Sequence, residues 1–476
     1  VNKAEESISM LSRIIGAAGQ LNVADVLTSM EEYPPSLAED DGSFLKSGEK
    51  AQLKHVLVKE TAVDLSESPR TTDSDREVTA VIVDGMAFVH RNYRKASTAT
   101  FADLADNLMD RLVTQMRVHK AARCDIVFDR YSVDSVKSME REKRAQGKSK
   151  VIITIHNGQT KTPKDWDGFF EDINNKTQLV KFLCQRWKAK NSKLNLQEMV
   201  VVSAGGEEGY TVTRDAVMDE KKFMNNHEEA DTMMIFHLKL MLGVFRNVTV
   251  VCDDTDVLVL LIYFTDKWRN NIDIRMYTKQ QYIPISKMAE ELGSSRCMGL
   301  IGLHCISGCD TVGSLSTVTK CKAYKGQTED LQLLGTSKFT SPSSLHSFIY
   351  NVYGASDCEG DLDQLRYLLI CERGLTGRRL PPTDEDFALH CARANMQATL
   401  WKQADVQVME LPDPLECGWK KNSEGMYVPM YNSSTGRKVH LTSCQCTTGC
   451  DTQRCTCRRS SKGCSDVCRC RGCNNQ

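Results

Sequence analysis

Short, unbroken apolar runs alternate along this chain with stretches of helical spacing, and several of the runs end on an acid. Ala80-Val81-Ile82-Val83 leads into Asp84 and Gly85. Cys124-Asp125-Ile126-Val127-Phe128 leads into Asp129, and Asn247-Val248-Thr249-Val250-Val251-Cys252 leads into Asp253-Asp254-Thr255-Asp256. Between the first two lies an amphipathic helix, Phe101 to Lys120. Another helix carries Met233, Met234, Phe236, His237, Leu240 and Met241 after the acidic start His227-Glu228-Glu229-Ala230-Asp231. Continuous Val/Ile strands separated by helices predict an α/β fold with a parallel sheet covered on both faces. In such sheets the working crevice lies beyond the carboxyl ends of the strands, where three different strands here deliver Asp.

The flanks read differently. Ile8, Leu11, Ile14 and Ile15, then Leu21, Val26 and Leu27, recur at helical spacing. Pro34-Pro35 and the polar stretches at Glu39-Asp40-Asp41-Gly42-Ser43 and Ser66 to Asp75 then predict linker. Residues 1–75 are thus expected to form a short helix or two and a linker, with an accessory helix packed on the main domain. Residues 76–325 form the expected α/β core, with an insertion at about 152–209 that holds Trp166, Trp187 and a Lys-rich run ending at Lys193. That insertion reads as a clamp over the site or as a plain helical addition. Leu365, Leu368, Leu369 and Ile370, and then Ala388 to Trp401, mark a helical extension over 326–410. Pro412, Pro414, Gly418-Trp419 and Tyr427-Val428-Pro429 mark a short β-rich connector over 411–443.

At 476 residues, the chain has material for two or three domains and a large core. A net charge of −1 means that any attraction to nucleic acid must come from local patches. No apolar run reaches the roughly 20 residues that span a bilayer. No secretory signal is evident, and scattered thiols in apolar contexts such as Cys124, Cys184 and Cys252 fit a reducing compartment, with the nucleus the expected location. Cys297, Cys305, Cys309 and Cys321 are spaced irregularly and read as buried thiols rather than zinc ligands.

The acids gain meaning together. Acids at a helix start also stabilise the helix dipole, and Gly308 before Asp310 is an ordinary helix stop, so neither is diagnostic alone. In chain order, however, Asp84, Asp129, Glu229-x-Asp231, Asp254-x-Asp256 and Gly308-x-Asp310 resemble the carboxylate set of the PIN-like fold of the flap endonuclease and structure-specific 5′ nuclease superfamily. The similarity runs from about Val78 to Lys322. It implies a metal-dependent phosphodiesterase in which Asp84, Glu229, Asp231, Asp254 and Asp256 coordinate two magnesium or manganese ions, with Asp129 and Asp310 acting directly or through water. All seven positions are filled, whereas a decayed copy should have lost at least one. Asp253 and Glu228 are the neighbouring acids that could replace them in register. Clustered acids repel without cations, and two divalent ions supply the hydroxide and the charge relief that phosphodiester hydrolysis needs. The resemblance further implies that Lys137 and Arg144, seven residues apart in the charged segment with Glu140, Arg141 and Lys143, face the scissile phosphate. Thr311 to Lys320 lacks the family's Gly-rich duplex-gripping turn, so no flap specificity follows.

Nine of the 20 cysteines crowd into the last 33 residues: Cys444, Cys446, Cys450, Cys455, Cys457, Cys464, Cys468, Cys470 and Cys473. The residues between them are too polar to build a core, so the segment needs staples. Disulfides are one choice, but nine is odd. Thiolate-bound zinc is the other: three tetrahedral ions need twelve ligand positions, which nine sulfurs supply if three of them bridge. The spacing resembles the tesmin-type CXC domain, in which nine cysteines hold three zinc ions. That resemblance implies DNA binding, with Arg454, Arg458, Arg459, Lys462, Arg469 and Arg471 as the contact residues. Arg454 stands where many family members carry a Tyr. The combined expectation is a metal-dependent nuclease directed to DNA by a zinc tail, as would suit a mobile-element-derived or genome-processing protein. A non-catalytic DNA-binding regulator and an RNA endonuclease are the alternatives.

Overall fold

The computed structural model describes residues 33–45, 50–66, 78–94, 99–131, 135–137, 150–206, 208–269, 271–375 and 377–432, and in the tail 444, 446, 449–459, 464, 470, 473 and 475. The predicted helices before residue 28 lie outside these residues, as do Arg144, Lys462, Cys468, Arg469 and Arg471.

The strands are β1 (Thr79–Asp84), β2 (Arg123–Phe128), β3 (Met199–Ala204), β4 (Glu208–Val212), β5 (Val217–Asp219), β6 (Asn247–Val251), β7 (Asp273–Thr278) and β8 (Gln281–Pro284). They form one eight-stranded sheet in the order β5-β4-β3-β2-β1-β6-β7-β8. The five central strands, β3-β2-β1-β6-β7, pair in parallel at all four of their junctions, and β4, β5 and β8 add antiparallel edges. The chain builds outward from β1 to β2 and β3, then returns to the other side of β1 with β6 and β7. The order therefore reverses between β1 and β6, which is where an open α/β sheet offers its crevice.

Helices cover both faces. In chain order they are α1 (Ala51–Thr61), α2 (Gly85–Asn92), α3 (Phe101–Val118), α4 (Trp166–Phe170), α5 (Ile173–Trp187), α6 (Ala230–Met241), α7 (Thr255–Trp268), α8 (Ile285–Leu292), α9 (Ser294–Ile306), α10 (Lys320–Lys325), α11 (His346–Tyr353), α12 (Leu362–Arg373) and α13 (Asp384–Lys402). One cluster of buried side chains packs α2, α3, α4 and α5 on one face of the sheet. A larger cluster joins α1, α6, α7, α8, α9 and the helices through α13 on the other. The two-sided burial explains why β1 is a continuous apolar run rather than an alternating one, and why β2 is buried at every position, its Arg123–Asp125 ion pair included. Gly85 lets α2 leave β1 tightly, since a Cβ there would meet the Phe128 ring at 2.5 Å. No helix among the described residues is long and apolar enough to cross a membrane.

Two expectations need correction. The stretch read as linker before residue 75 contains α1, whose Leu53 and Leu57 are fully buried in the larger core. The spacing is helical, but flanking acids and serines masked it. The stretch read as an insertion, 152–209, contains the central strand β3 and most of the α4–α5 layer. It is no detached clamp: Trp187 is buried and donates its indole N–H to the Ala105 carbonyl at 2.8 Å. Residues 326–410 do pack helices α11 to α13 onto the same core as the sheet. The connector forms an antiparallel pair, β9 (Trp419–Lys421) and β10 (Tyr427–Pro429). Cys124, Cys184, Cys252, Cys297, Cys305 and Cys309 are buried free thiols, while Cys321 is half-buried.

Candidate metal centre and cysteine tail

Each acid reaches the crevice through local backbone chemistry. Asp84 closes β1 and caps α2, accepting the Ala87 amide at 2.9 Å. Asp254 follows β6 and caps α7, accepting the Asp256 amide at 2.9 Å. Asp129 follows β2 and accepts the Ala230 amide at 2.7 Å, so it serves the start of α6 from another strand. Glu229 is the residue before α6, and Asp231 lies in that helix's first turn. Three helix N-termini thus aim their positive ends at one place, partly offsetting the repulsion among the acids.

Asp310 arrives from a turn after α9. Cys309 and Val312 exchange backbone hydrogen bonds across it, and Gly308 precedes it at φ +109°. A Cβ at Gly308 would come within 2.9 Å of the Ser314 backbone, so glycine is required there for both conformation and space. The buried Lys320 ammonium pins the turn by donating to the His304 carbonyl at 2.8 Å and the Ser307 hydroxyl at 3.0 Å. Burial brings that lysine down to about 8.

Oxygens of Asp231, Asp254 and Asp256 lie within 4.8 Å of one another, a set able to hold a metal ion. Burial, and then the charges of Asp254 and Glu229, hold Asp231 well above the usual carboxylate range. Asp254 sits in a recess but keeps an open face to solvent; lost hydration and then Asp256 push it up to about 6. Asp84 rises to about 6 through burial and the Asp129 charge. Burial also raises Glu229, against the pull of Lys137, whose ammonium is 2.8 Å from Glu229 Oε1. Glu229 Oε2 is buried with no hydrogen-bond partner. Asp256 goes the other way. Burial alone would raise it, but the His304 hydrogen bond and nearby lysines hold it below the ordinary range. His304 Nε2 donates to Asp256 Oδ1 at 2.9 Å, while burial and Lys320 bring the imidazole down to about 4, so it donates as the neutral ring.

The two neighbouring acids have other partners. Asp253 is turned outward to Arg91 at 2.7 Å and Thr278 at 2.6 Å, and Glu228 accepts from Ser135 at 2.6 Å. Lys137 lies in a turn beside Glu229, whereas Arg144 falls outside the described residues. Three contributors escaped the sequence reading: His304, Lys320 and above all Lys50, whose Nζ contacts Asp256 Oδ2 at 3.2 Å and Asp310 Oδ1 at 2.5 Å. His304 was visible in Leu303-His304-Cys305-Ile306, a lone polar side chain in an apolar helix. Lys50 left no signal.

The charge pressure on Asp84 has a measurable sign. Its folded value of about 6 lies above the 3.8 of an ordinary aspartate, so ionisation costs stability above pH 6, and the cost fades as pH falls toward 4. Asn also caps helices well. Asp84→Asn should therefore stabilise the metal-free protein by about 1–2 kcal/mol at pH 7.5 and by far less at pH 4.5. Urea unfolding followed by tryptophan fluorescence checks this; an equal effect at both values would remove charge pressure as the cause.

In the tail, sulfurs form three overlapping sets of four within 4.8 Å: Cys444, Cys446, Cys450 and Cys455; Cys444, Cys455, Cys457 and Cys464; and Cys444, Cys450, Cys464 and Cys470. Cys470 and Cys473 Sγ are 3.6 Å apart. No disulfide is recorded among the described cysteines. Overlap among the sets is what sulfur bridging between metals requires. Arg454, Arg458 and Arg459 are exposed around this knot, and Arg458 donates to the Cys450 carbonyl at 3.3 Å.

No family model and no curated protein matches the chain. Among solved structures, it is similar to the flap endonuclease of bacteriophage T5 in a pseudo-enzyme–product complex with DNA and metal ions, at 14% identity and a TM-score of 0.34, over 68% of this chain and 90% of that one. The same phage protein co-crystallized with metal ions matches at 13% identity and a TM-score of 0.33, over 69% and 97%. A mutant of the T5 5′-exonuclease matches at 14% identity and 0.30, over 69% and 96%. The likeness is loose.

Proposed function

We propose that the protein is a divalent-metal-dependent nuclease of PIN-like, flap-endonuclease type that hydrolyses DNA phosphodiesters, carried to its substrate in the nucleus by a three-zinc tesmin-type CXC tail. The observation that carries this reading is the convergence of Asp84, Asp129, Glu229, Asp231, Asp254, Asp256 and Asp310 at the strand-order reversal between β1 and β6. Helix capping alone would not gather acids from three strand ends, two helix starts and a glycine turn into one recess.

The residues fit a hard cation. The ligand set is all oxygen, several of its acids are raised by crowding, and the buried Glu229 Oε2 lacks a partner. Asp84, Glu229, Asp231, Asp254, Asp256 and Asp310 would hold magnesium or manganese, which supplies a hydroxide at neutral pH and charge relief on the phosphoryl oxygens. The chain's own groups do the rest. His304 fixes the Asp256 carboxylate, and the capped helices α2 and α7 fix Asp84 and Asp254. Lys137 neutralises Glu229 and presents its ammonium beside the recess, where it can meet a phosphate oxygen. Arg454, Arg458 and Arg459, with Lys462, Arg469 and Arg471, would contact DNA phosphates and guanine edges.

Labelled single-stranded, flapped and double-stranded DNA and an RNA of the same sequence, each with magnesium, manganese or chelator, test the reading. Metal-dependent cutting of DNA is expected. Cutting of RNA alone would make it an RNA endonuclease, and DNA binding without cutting would make it a regulator built on a nuclease scaffold.

A further inference from the structure

The carboxylate recess contains a cation of its own. Lys50 immediately precedes α1, and its ammonium lies between Asp256 and Asp310, at 3.2 and 2.5 Å. Its side chain is only 23% exposed, against 3% for Asp256 and 24% for Asp310. This is not a loose arm folding over a charged surface. Leu53 and Leu57 bury one face of α1 in the core, and Glu60 pairs with Arg296 at 2.6 Å at the other end of the helix. The lysine is therefore delivered to the recess by a packed element, with little of its conformational freedom left to lose.

The contacts divide the recess. Asp256 gives Oδ1 to His304 and Oδ2 to Lys50, and Asp310 gives Oδ1 to the same ammonium. Lys137 holds Glu229, and its charge also reaches Asp310 and Asp231. The compact oxygen set of Asp231, Asp254 and Asp256 lies beside the two lysines, with Asp256 common to it and to the Lys50 contact. A divalent ion placed at Asp310 and Asp256 would meet a fixed positive charge at contact distance, and it could enter only by expelling Lys50.

We propose that Lys50 serves as the second cation of this site, so that the recess takes a single divalent ion, at the Asp231, Asp254 and Asp256 set, and uses the Lys50 ammonium where a two-ion nuclease would hold another metal. This rests on the reading that the recess binds a divalent metal. It departs from the two ions that the carboxylate pattern implies. The ammonium is a point charge with three donors, suited to a phosphate oxygen once substrate arrives. It also makes the N-terminal helix part of the working site.

Manganese binding to the whole 476-residue chain, supplied with zinc, tests this without reference to turnover. Electron paramagnetic resonance titration should count one tightly bound manganese in the wild type, with no spin-coupled pair. Lys50→Met should bind two, with a spin-coupled signal, while Lys50→Arg stays at one. Lys50→Met should also cut magnesium-supported cleavage by about 10²-fold and recover part of it at high manganese. Circular dichroism checks that each variant folds, and the wild-type count decides the matter even if Lys50→Met does not. Two ions in the wild type would overturn the lysine proposal while leaving the metal reading intact. One ion in Lys50→Met would also overturn it. No ion in any variant would overturn the metal reading and this proposal with it.

Discussion

Asp256→Asn should lower cleavage by about 10³-fold or more, with the fold intact. Loss of a carboxylate that holds the catalytic cation forfeits several kcal/mol of transition-state stabilisation, and each 1.4 kcal/mol is tenfold. Asp256 is the member of the cluster with most to lose. Its side chain is 3% exposed, and both its oxygens are engaged, one by His304 and one by Lys50. Asn keeps the shape and can still accept the His304 N–H, so the deficit should report charge rather than collapse. The expected signature is a fall in kcat and a rise in the magnesium concentration needed for half-maximal rate. Circular dichroism and the melting temperature separate this from unfolding. A fall confined to KM would place Asp256 in binding alone.

The second large effect lies in the tail. Cys444 belongs to all three four-sulfur sets, and Cys450, Cys455 and Cys464 each belong to two. Its loss should therefore disturb every metal position, where loss of a cysteine in one set should disturb one. Structural zinc contributes on the order of 10–16 kcal/mol per ion to small domains that have no other core. Wild-type protein should carry about three zinc ions per chain by elemental analysis. Cys444→Ser should lose two or more, and Cys446→Ser about one. DNA affinity should fall with Cys444→Ser while the tryptophan fluorescence of the α/β body stays unchanged. A zinc content near zero in freshly purified wild type would remove the zinc reading altogether.

Much of the fold was legible because its signals are local. A strand buried on both faces must be a continuous apolar run, and Ala80 to Val83 and Val248 to Val251 are such runs. An acid that caps the next helix must sit at the strand end, so Asp84 and Asp254 were visible in the sequence. The strand β3 was passed over because it ends on Ala204 rather than on an acid, behind a lysine-rich approach. The largest omission was Lys50, which meets Asp256 and Asp310 across separations of 206 and 260 residues. Nothing in its neighbourhood marks it, since what matters is the packing of Leu53 and Leu57 far from the acids in sequence. His304 escaped for a related reason: its partner is fixed by α7 and α9 meeting, not by spacing along either helix.

The proposed activity is metal-dependent cutting of phosphodiesters in the recess between β1 and β6, with the metal held by its acids. Its most direct test is cleavage of end-labelled DNA by wild-type protein and an Asp254→Ala, Asp256→Ala variant, side by side, with magnesium or manganese and with chelator. The expected result is cutting by the wild type only when metal is supplied, and none above background by the variant. Equal cutting by the two proteins, or cutting by the wild type in chelator, would contradict the claim.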